Sequence, residues 1–249
     1  MYSLDFISEE NFEQEVLIVL NEYFQHFKSM DLYKFNQNIV DPIKLLFDKY
    51  CFNSSFEEII KQEINRQIDK SNNNSIGYFH QRLFKHIKNC DVPKVGWDIV
   101  FRDENKTYFV ELKNKHNTMN SSSAAKTYIK MQNFLLTQAD NLSVCALVEV
   151  IAKKSQNIAW QISVDGEKQA VNERIRRMSI DQFYYLVTGN KSSFANLCRQ
   201  LPITIEKLIN KNSGFVEENQ IFAELLNVDK NIITALYKLA FSSYCGFEA

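Results

Sequence analysis

Three charged side chains interrupt two short apolar runs in the stretch VGWDIVFRDENKTYFVELKNKHN, which spans residues 95–117. Asp98 lies within the first run, and Glu111 and Lys113 lie within the second. The runs alternate as β-strands do, and residues 103–106 between them suit a hairpin connection. Two carboxylates beside an ammonium group could bind a divalent cation and activate water. These residues are therefore the first candidates for a catalytic site.

The hydrophobic pattern favours one register for this hairpin. With a connection over 103–106, three apolar pairs would share one face. These pairs are Ile99 with Val110, Phe101 with Tyr108, and Trp97 with Leu112. The same register puts Asp98 opposite Glu111 on the other face, with Lys113 two residues farther along. A shift by one residue would mix the apolar and charged faces.

Directly opposed carboxylates repel each other, so the charges of Asp98 and Glu111 must be offset. Mg²⁺ is predicted for this role, because hard oxygen ligands at this spacing suit it. Lys113 could then reach a metal-bound water or a phosphate oxygen. An isolated Glu-x-Lys is far more often a solvated salt bridge on a strand. Here the aspartate on the partner strand, and the polar segment and basic helix that follow, favour the catalytic interpretation.

The elements that must position these residues can be predicted along the chain. Residues 9–28 have the periodicity of an amphipathic helix. A second helix is predicted to begin near Ser55, because Ser55 and Glu58 form a capping-box pattern. Residues 71–75 are predicted to be a polar loop. The valine-rich segment 142–152 is predicted to be a strand buried on both faces.

Further elements complete the predicted order. A helix is expected over 124–139, and strands are expected within 158–166 and 173–178. Ser179 and Gln182 form a second capping-box pattern, and the rest of the chain is predicted to be mostly helical.

This order predicts the α/β class, with a mixed sheet of four or five strands flanked by helices. We expect a single domain over 1–249, with its core at about 55–200. Helical extensions are expected over 1–54 and 201–249.

Composition limits the classes of protein that remain. The 249 residues are 45% apolar and 24% charged, as in a folded globular protein. The five scattered cysteines form no CxxC pattern, so neither a zinc site nor a disulfide framework is predicted, and a cytoplasmic location is expected. The acidic N-terminus does not resemble a signal peptide, and no apolar run approaches the roughly 20 residues of a membrane span. The net charge of −1 argues only weakly against nucleic acid, because local basic segments occur.

The hairpin residues resemble the motif of the PD-(D/E)XK nuclease superfamily. Asp98 matches the motif aspartate, and the residues 111–113 match its E-x-K, while Trp97 stands where proline is usual. Three longer stretches are similar to a family of type II restriction endonucleases that cut GGNCC or related sites. They are NNNSIGYFHQ (72–81), VELKNKHNTMNSSSAAKTYIKMQ (110–132) and FYYLVTGNKSSFANLC (183–198).

This resemblance implies a PD-(D/E)XK (restriction-endonuclease-like) core and a homodimer that uses Mg²⁺. It implies cleavage of both strands of double-stranded DNA at a short palindrome, leaving 5′-phosphates. A methyltransferase acting on the same site would protect the host DNA. Asp98, Glu111 and Lys113 would be catalytic. Asp98, Glu111 and the backbone carbonyl of Leu112 would hold the metal.

Other residues are weaker candidates. In the superfamily an upstream helix often aims a further carboxylate at the metal, and Glu63 could be that residue. The alternative for Glu63 is an ion pair with Arg66 on a solvated helix face. Polar and basic side chains after the E-x-K are candidate DNA contacts, although an exposed loop and a solvated helix face would look the same. They are Asn114, Lys115, His116, Asn117, Ser121, Ser122, Ser123, Lys126, Lys130 and Gln132.

The sequence therefore predicts a type II site-specific deoxyribonuclease of a restriction-modification system. A repair or junction-resolving nuclease would use the same chemistry. A DNA-binding protein without catalysis would require a broken site, whereas all three motif residues are present. A helical interaction module would leave the charged hairpin unexplained.

Overall fold

The computed structural model describes residues 2–38, 40–116, 119–139, 141–164, 166–211 and 220–240. The chain folds into two compact units. The sheet unit comprises Met1–Val19 and Ile76–Lys211, and the helical unit comprises the described parts of Leu20–Ser75 and Asn212–Ala249. Within the described residues, no helix is both long enough and apolar enough to span a membrane.

The described helices and strands agree with a mixed α/β protein. The helices are α1 (Glu9–Lys28), α2 (Leu32–Gln37), α3 (Pro42–Cys51), α4 (Phe56–Phe84), α5 (Ser121–Thr137), α6 (Ile180–Thr188), α7 (Ser193–Lys211), α8 (Ile221–Val228) and α9 (Ile232–Ala240). The strands are β1 (Cys90–Asp91), β2 (Ile99–Arg102), β3 (Thr107–Lys115), β4 (Ser143–Ile151), β5 (Asn157–Ala159), β6 (Ser163–Val164), β7 (Glu167–Lys168) and β8 (Ile175–Ser179).

The sheet unit is built around a mixed sheet of six strands in the order β1-β2-β3-β4-β8-β5. Strands β3, β4 and β8 are parallel, and the remaining pairs of this sheet are antiparallel. The predicted mixed sheet flanked by helices is confirmed, but the predicted four or five strands are too few. The additional strand is β1, which has two residues and is too short for an alternating pattern to be recognised. The segment 158–166, predicted as strand, overlaps β5 at the other edge of the sheet and β6 in a separate two-stranded sheet.

The hairpin of β2 and β3 has the predicted register where both strands are regular. Ile99 pairs with Val110, and Phe101 pairs with Tyr108. The prediction for Trp97 is wrong: its ring does not share the face of Leu112 but packs against Phe109, with ring centres 5.9 Å apart. The physical reason is that β2 begins only at Ile99, so the alternation does not reach back to Trp97. Gly96, with φ of 104°, turns the chain just before it.

Strand β4 confirms the prediction of a strand buried on both faces. Its first seven residues are buried, and it pairs with β3 on one side and β8 on the other. Cys145 and Leu147 pack in a core with Tyr128 and Met131 of α5. On the opposite face, α6 packs against β4. Helices thus cover both faces of the central strand.

Two helix boundaries differ from the sequence predictions. The residues 71–75, predicted to be a loop, lie inside α4. Asn72 is held there by a 2.9 Å hydrogen bond between its Oδ1 and Nδ1 of His26, so tertiary contacts override the weak helix propensity of asparagine. Helix α5 begins at Ser121 instead of residue 124, because the side chain of Asn120 accepts a hydrogen bond from the N–H of Ser123 at 2.8 Å.

One predicted capping box is confirmed and the other is wrong. The N–H of Glu58 donates to the hydroxyl of Ser55 at 3.2 Å, and the N–H of Ser55 donates to the carboxylate of Glu58 at 2.7 Å. Ser179 does stand at the N-cap of α6, but its side chain makes no capping hydrogen bond. Its hydroxyl instead accepts from the N–H of Gln156 at 2.9 Å, which ties the end of β8 to the segment before β5.

The helical unit has a core of its own. Residues from α2, α3 and α4 pack there with residues from α8 and α9. Its buried members are Phe35, Val40, Leu45, Ile59, Ile60, Ile64, Ile68, Ile221, Leu225, Ile232, Ala235 and Leu236. The two units therefore divide the chain differently from the expected core and two extensions. That the chain acts as one nuclease domain stays a prediction.

Candidate active site

Strand β3 carries Glu111 and Lys113 on the face of the sheet that α5 covers. Side chains alternate along the strand, so this face also holds Phe109, whose ring lies 4.5 Å from that of Phe134 on α5. The apolar contact ends at Phe109, and the two charged residues follow it toward the carboxyl end of the strand. The packing of α5 thus leaves Glu111 and Lys113 partly buried beside its surface.

Asp98 is held next to these residues by the backbone of β3. The N–H of Asp98 donates to the carbonyl of Val110 at 2.9 Å, and the N–H of Leu112 donates to the Asp98 carboxylate at 2.7 Å. Burial raises the pKa of the Asp98 carboxyl, and the charge of Glu111 raises it further. The hydrogen bond from Leu112 and the charges of the nearby lysines act in the opposite direction, but the pKa still lies above its ordinary value.

Glu111 is bound by two ammonium groups. Nζ of Lys113 donates to its Oε1 at 2.8 Å, and Nζ of Lys130 on α5 donates to its Oε2 at 3.1 Å. Burial alone would raise the pKa of Glu111, but these hydrogen bonds and charges outweigh it, so the pKa is lowered. The predicted repulsion between the carboxylates is therefore relieved unequally. Glu111 is stabilised as an anion by lysines, while Asp98 is the carboxylate whose charge is disfavoured.

Lys130 makes further contacts that tie α5 to the segment before Asp98. Its Nζ donates to the carbonyl of Gly96 at 3.1 Å and lies 4.4 Å from the centre of the Trp97 ring. The sequence had suggested Lys130 only as a contact to the DNA backbone, a role that stays a prediction. Its spacing along α5 gave no sign of its contact with Glu111, because that contact depends on how α5 packs on the sheet.

A second charged cluster lies on the same face of the neighbouring strands. Glu149 of β4, which is 0% exposed, is paired in register with Lys113. Nε of Arg177 on β8 donates to Glu149 at 3.1 Å, and Nη2 of Arg177 lies 2.8 Å from Nδ1 of His116. The same ring nitrogen of His116 lies 3.1 Å from the Glu149 carboxylate. Burial would raise the pKa of Glu149, but Arg177 and His116 lower it below its ordinary value.

Glu149 and Arg177 were not predicted as neighbours of the candidate site. Glu149 is the only charged residue in β4, whose other residues except Ser143 are apolar, and a charge within an apolar run is the same signal that singled out Asp98. Arg177 belongs to the locally basic segment RIRR (174–177), which gives no sign of a contact with Glu149. The cluster also draws His116 out of the predicted exposed loop, since its N–H donates to the carbonyl of Ile151 at 2.9 Å.

The other predicted DNA contacts have varied surroundings. Lys115 is exposed at the end of β3, whereas Asn114 is half-buried within that strand. The serines Ser121, Ser122 and Ser123 form the exposed first turn of α5 and not a loop. Farther along this helix Lys126 is exposed and Gln132 is half-buried. Asn117 lies outside the described residues, and all these DNA contacts stay predictions.

Glu63 belongs to α4 within the helical unit. It is 5% exposed, and Arg66 binds both of its carboxylate oxygens, at 2.7 and 2.5 Å. Gln67 also donates to it, at 2.9 Å. The alternative interpretation of an ion pair with Arg66 is thus present, although Arg66 holds a buried and not a solvated carboxylate. A role for Glu63 at the metal stays a prediction that these contacts do not favour.

Most of the chain is similar to known restriction enzymes. The sequence profile of the Eco47II restriction endonuclease family matches residues 4–210. The chain belongs to this family. The endonuclease is 31% identical over 230 residues to type II restriction enzyme Sau96I of Staphylococcus aureus. The matched region covers 89% of this chain and 87% of that relative. It is 27% identical over 220 residues to type II restriction enzyme Eco47II of Escherichia coli. This matched region covers 86% of the chain and 91% of that relative.

These relationships confirm the prediction of a type II restriction endonuclease, which is a site-specific deoxyribonuclease. They favour it over a repair or junction-resolving nuclease and over a helical interaction module. They also favour a catalytic protein over a DNA-binding protein without catalysis. That Asp98, Glu111 and Lys113 are its catalytic residues stays a prediction.

The unequal stabilisation of the two carboxylates predicts an effect of pH on the stability of the metal-free endonuclease. Because the pKa of Asp98 is raised, the folded state binds more protons than the unfolded state around that pKa, and stability is lost as the pH rises through it. Asp98→Asn keeps an acceptor for the N–H of Leu112 and removes the charge. We expect it to raise the free energy of unfolding by about 0.5 kcal/mol at about pH 7.5, a gain that shrinks toward about pH 4.

Urea unfolding in EDTA at the two pH values measures this difference. Asp103→Asn in the exposed hairpin connection is the matched control, and it should show little change. A lower stability for Asp98→Asn than for the wild type at about pH 7.5 would contradict the prediction.

The buried position of Glu149 predicts a large effect of removing its partner. Arg177→Met leaves the buried carboxylate of Glu149 with the His116 imidazole but without its guanidinium, and it should lower the free energy of unfolding by about 3 kcal/mol.

The matched control is Arg176→Met, which removes an ion pair with the 75% exposed Glu173 and two hydrogen bonds to Asn157 but strands no buried charge, and it should cost about 1 to 2 kcal/mol. Adding Glu149→Gln to Arg177→Met should recover part of the loss. Urea unfolding measures these differences. Equal losses of unfolding free energy in the Arg177 and Arg176 variants would show that the buried Glu149 carboxylate does not cause the destabilisation.

Proposed function

We propose that the endonuclease hydrolyses phosphodiester bonds of double-stranded DNA with Mg²⁺ at a PD-(D/E)XK site. The observation that carries this proposal is the arrangement of Asp98, Glu111 and Lys113. Two carboxylates approach each other from β3 and from the residue just before β2, and Nζ of Lys113 lies 2.8 Å from Glu111. The three residues thus form one polar group at the edge of a packed core.

The donor set fits a small hard cation. Asp98 and Glu111 offer carboxylate oxygens, and the raised pKa of Asp98 marks a place where an added positive charge would stabilise the anion. In an extended strand the N–H and carbonyl of one residue point to the same side. The N–H of Leu112 donates to Asp98, so the Leu112 carbonyl faces that side as well. Among the residues that the structure describes, no group of three His, Cys, Asp or Glu side chains could hold a metal. The proposed site therefore relies on two carboxylates and the Leu112 carbonyl.

The chain's own residues then have distinct roles. A divalent cation held by Asp98, Glu111 and the Leu112 carbonyl would supply Lewis-acid chemistry, acidifying the attacking water and offsetting charge on the phosphate. Lys113 orients that water or helps to remove its proton, and it stabilises the charge that develops on the phosphate oxygens. In-line attack would leave a 5′-phosphate and a 3′-hydroxyl. The backbone of β3 holds Asp98 in place for this role, and Lys113 holds Glu111 on the same strand.

The proposed target is a short palindrome of the GGNCC type. The support is the resemblance of residues 110–132 and 183–198 to enzymes that cut such sites, together with the similarity to type II restriction enzyme Sau96I. The proposal includes a methyltransferase that modifies the same site in the host. It also includes a homodimer, because a two-fold symmetric assembly matches a palindromic duplex with one active site for each strand.

The metal and the three catalytic residues are tested by cleavage of unmethylated phage DNA, with sequencing of the ends. We expect discrete fragments in Mg²⁺, and binding without cleavage in Ca²⁺, which prefers longer bonds and more ligands. Asp98→Asn, Glu111→Gln and Lys113→Met should each lower the cleavage rate by at least about a hundredfold. Lys106→Met in the hairpin connection is the control and should cut normally.

Two results would overturn this mechanism. Full cleavage in excess EDTA would exclude the metal, and a wild-type rate in any of the three variants would exclude that residue. Melting curves and binding in Ca²⁺ separate a lost catalytic group from a lost fold.

The assembly is tested by the mass of the complex on a duplex with one GGNCC site. In Ca²⁺ we expect two chains for each duplex, because one chain carries one such site and a palindrome presents two equivalent strands. Light scattering after size-exclusion chromatography gives this mass. One chain on each duplex, in a sample that cuts both strands when Mg²⁺ is added, would contradict the proposal.

A further inference from the structure

Lys130 is the residue of the site whose contacts are not explained by the proposed chemistry. It comes from α5, outside the hairpin, and its ammonium group has three neighbours: the Glu111 carboxylate at 3.1 Å, the Gly96 carbonyl at 3.1 Å and the face of the Trp97 ring at 4.4 Å. Lys126, one turn earlier on the same helix, is exposed. The two lysines look equivalent in sequence, and only one of them enters the site.

We propose that Lys130 is a displaceable counterion of the metal site, which neutralises Glu111 in the metal-free endonuclease and gives up this contact when a divalent cation binds. This inference rests on the proposed function, since it needs the metal to bind at Asp98 and Glu111.

The charges of the site give the first reason. Asp98 and Glu111 can carry two negative charges, and Lys113 and Lys130 carry two positive charges beside them. The two oxygens of Glu111 each accept a hydrogen bond from one ammonium group. A divalent cation that takes a Glu111 oxygen as ligand would meet both lysines at short range, where like charges repel strongly. One ammonium group must therefore move away from Glu111.

The contacts of the two lysines indicate which one moves. Lys113 sits on the same strand as Glu111, and its side chain is 32% exposed. The side chain of Lys130 is 46% exposed and has the Gly96 carbonyl and the Trp97 ring as remaining partners. A flexible ammonium group that keeps a carbonyl and an aromatic ring as partners loses little interaction energy when it leaves a carboxylate. Lys113 then remains where the proposed chemistry needs it.

Two measurable consequences follow for the metal-bound state. Lys130 competes with the cation for Glu111, so its presence weakens metal binding. Its displacement also changes the position of a positive charge near Trp97. The chain has two tryptophans, Trp97 and Trp160, and Trp160 is 3% exposed in the core beneath α5. In a Trp160→Phe background, fluorescence therefore reports on Trp97.

The experiment titrates the full-length endonuclease with Mg²⁺ and with Ca²⁺ in the absence of DNA, by calorimetry and by Trp97 fluorescence. Lys130→Met should bind either ion about tenfold more tightly than the Trp160→Phe parent, because the ion no longer replaces a charged hydrogen bond. The emission change of Trp97 on metal binding should be mostly lost. Lys126→Met is the matched control and should keep both the parental affinity and the emission change. Lys130→Gln, which preserves a polar side chain, should behave as Lys130→Met does.

The outcomes separate this inference from the proposed function. If Glu111→Gln binds the ions as tightly as the parent, the proposed metal site fails, and this inference fails with it. If Glu111→Gln loses binding while both Lys130 variants bind with parental or weaker affinity, the role of Lys130 alone is overturned. A Trp97 emission change that persists in both Lys130 variants would also overturn it. Melting curves show whether each variant is folded at the temperature of the titration.

Discussion

The balance of charge around Glu111 is the constraint on which the candidate site depends. A carboxylate in a partly buried position needs hydrogen-bond donors or positive charge, and Glu111 obtains both from Lys113 and Lys130. Lys113 follows from the strand itself, because residues two apart share a face. Lys130 depends on the packing of α5, which is placed by the contacts of Phe134 with Phe109 and Trp97. The aromatic core therefore determines whether the polar site is complete.

The same requirement is met in a different way one strand farther along the sheet. Glu149 is fully buried, and it is balanced by Arg177 from β8 and by His116 at the end of β3. The three parallel strands thus carry a row of charged residues toward their carboxyl ends, where ligand sites of parallel sheets commonly lie. Glu111 and Glu149 each have a partner from another element, so the polar edge of the sheet also links separate elements.

Net charge gives little guidance for a protein of this kind. The chain has a net charge of −1, yet it belongs to a restriction endonuclease family. A DNA-cleaving site needs local positive charge and carboxylates close together, and these nearly cancel in a sum over the chain. The exposed Lys115 and Lys126 near the site illustrate local positive charge that the total conceals.

The sequence alone determined the features of this protein that depend on residues close together in the chain. Alternation predicted the pairing of Ile99 with Val110, because a strand period of two is a local property. The charged residues within the apolar runs made the hairpin the candidate site. Tertiary structure decided what depends on distant contacts. It placed Trp97 on the face of Phe109, brought Lys130 of α5 to the hairpin and drew His116 into a cluster with β4 and β8. It also carried α4 through the asparagine-rich segment and added the edge strand β1, which is too short to have a pattern. The physical reason is that packing and charge balance act between segments far apart in the chain, whereas propensity and periodicity act only between near neighbours.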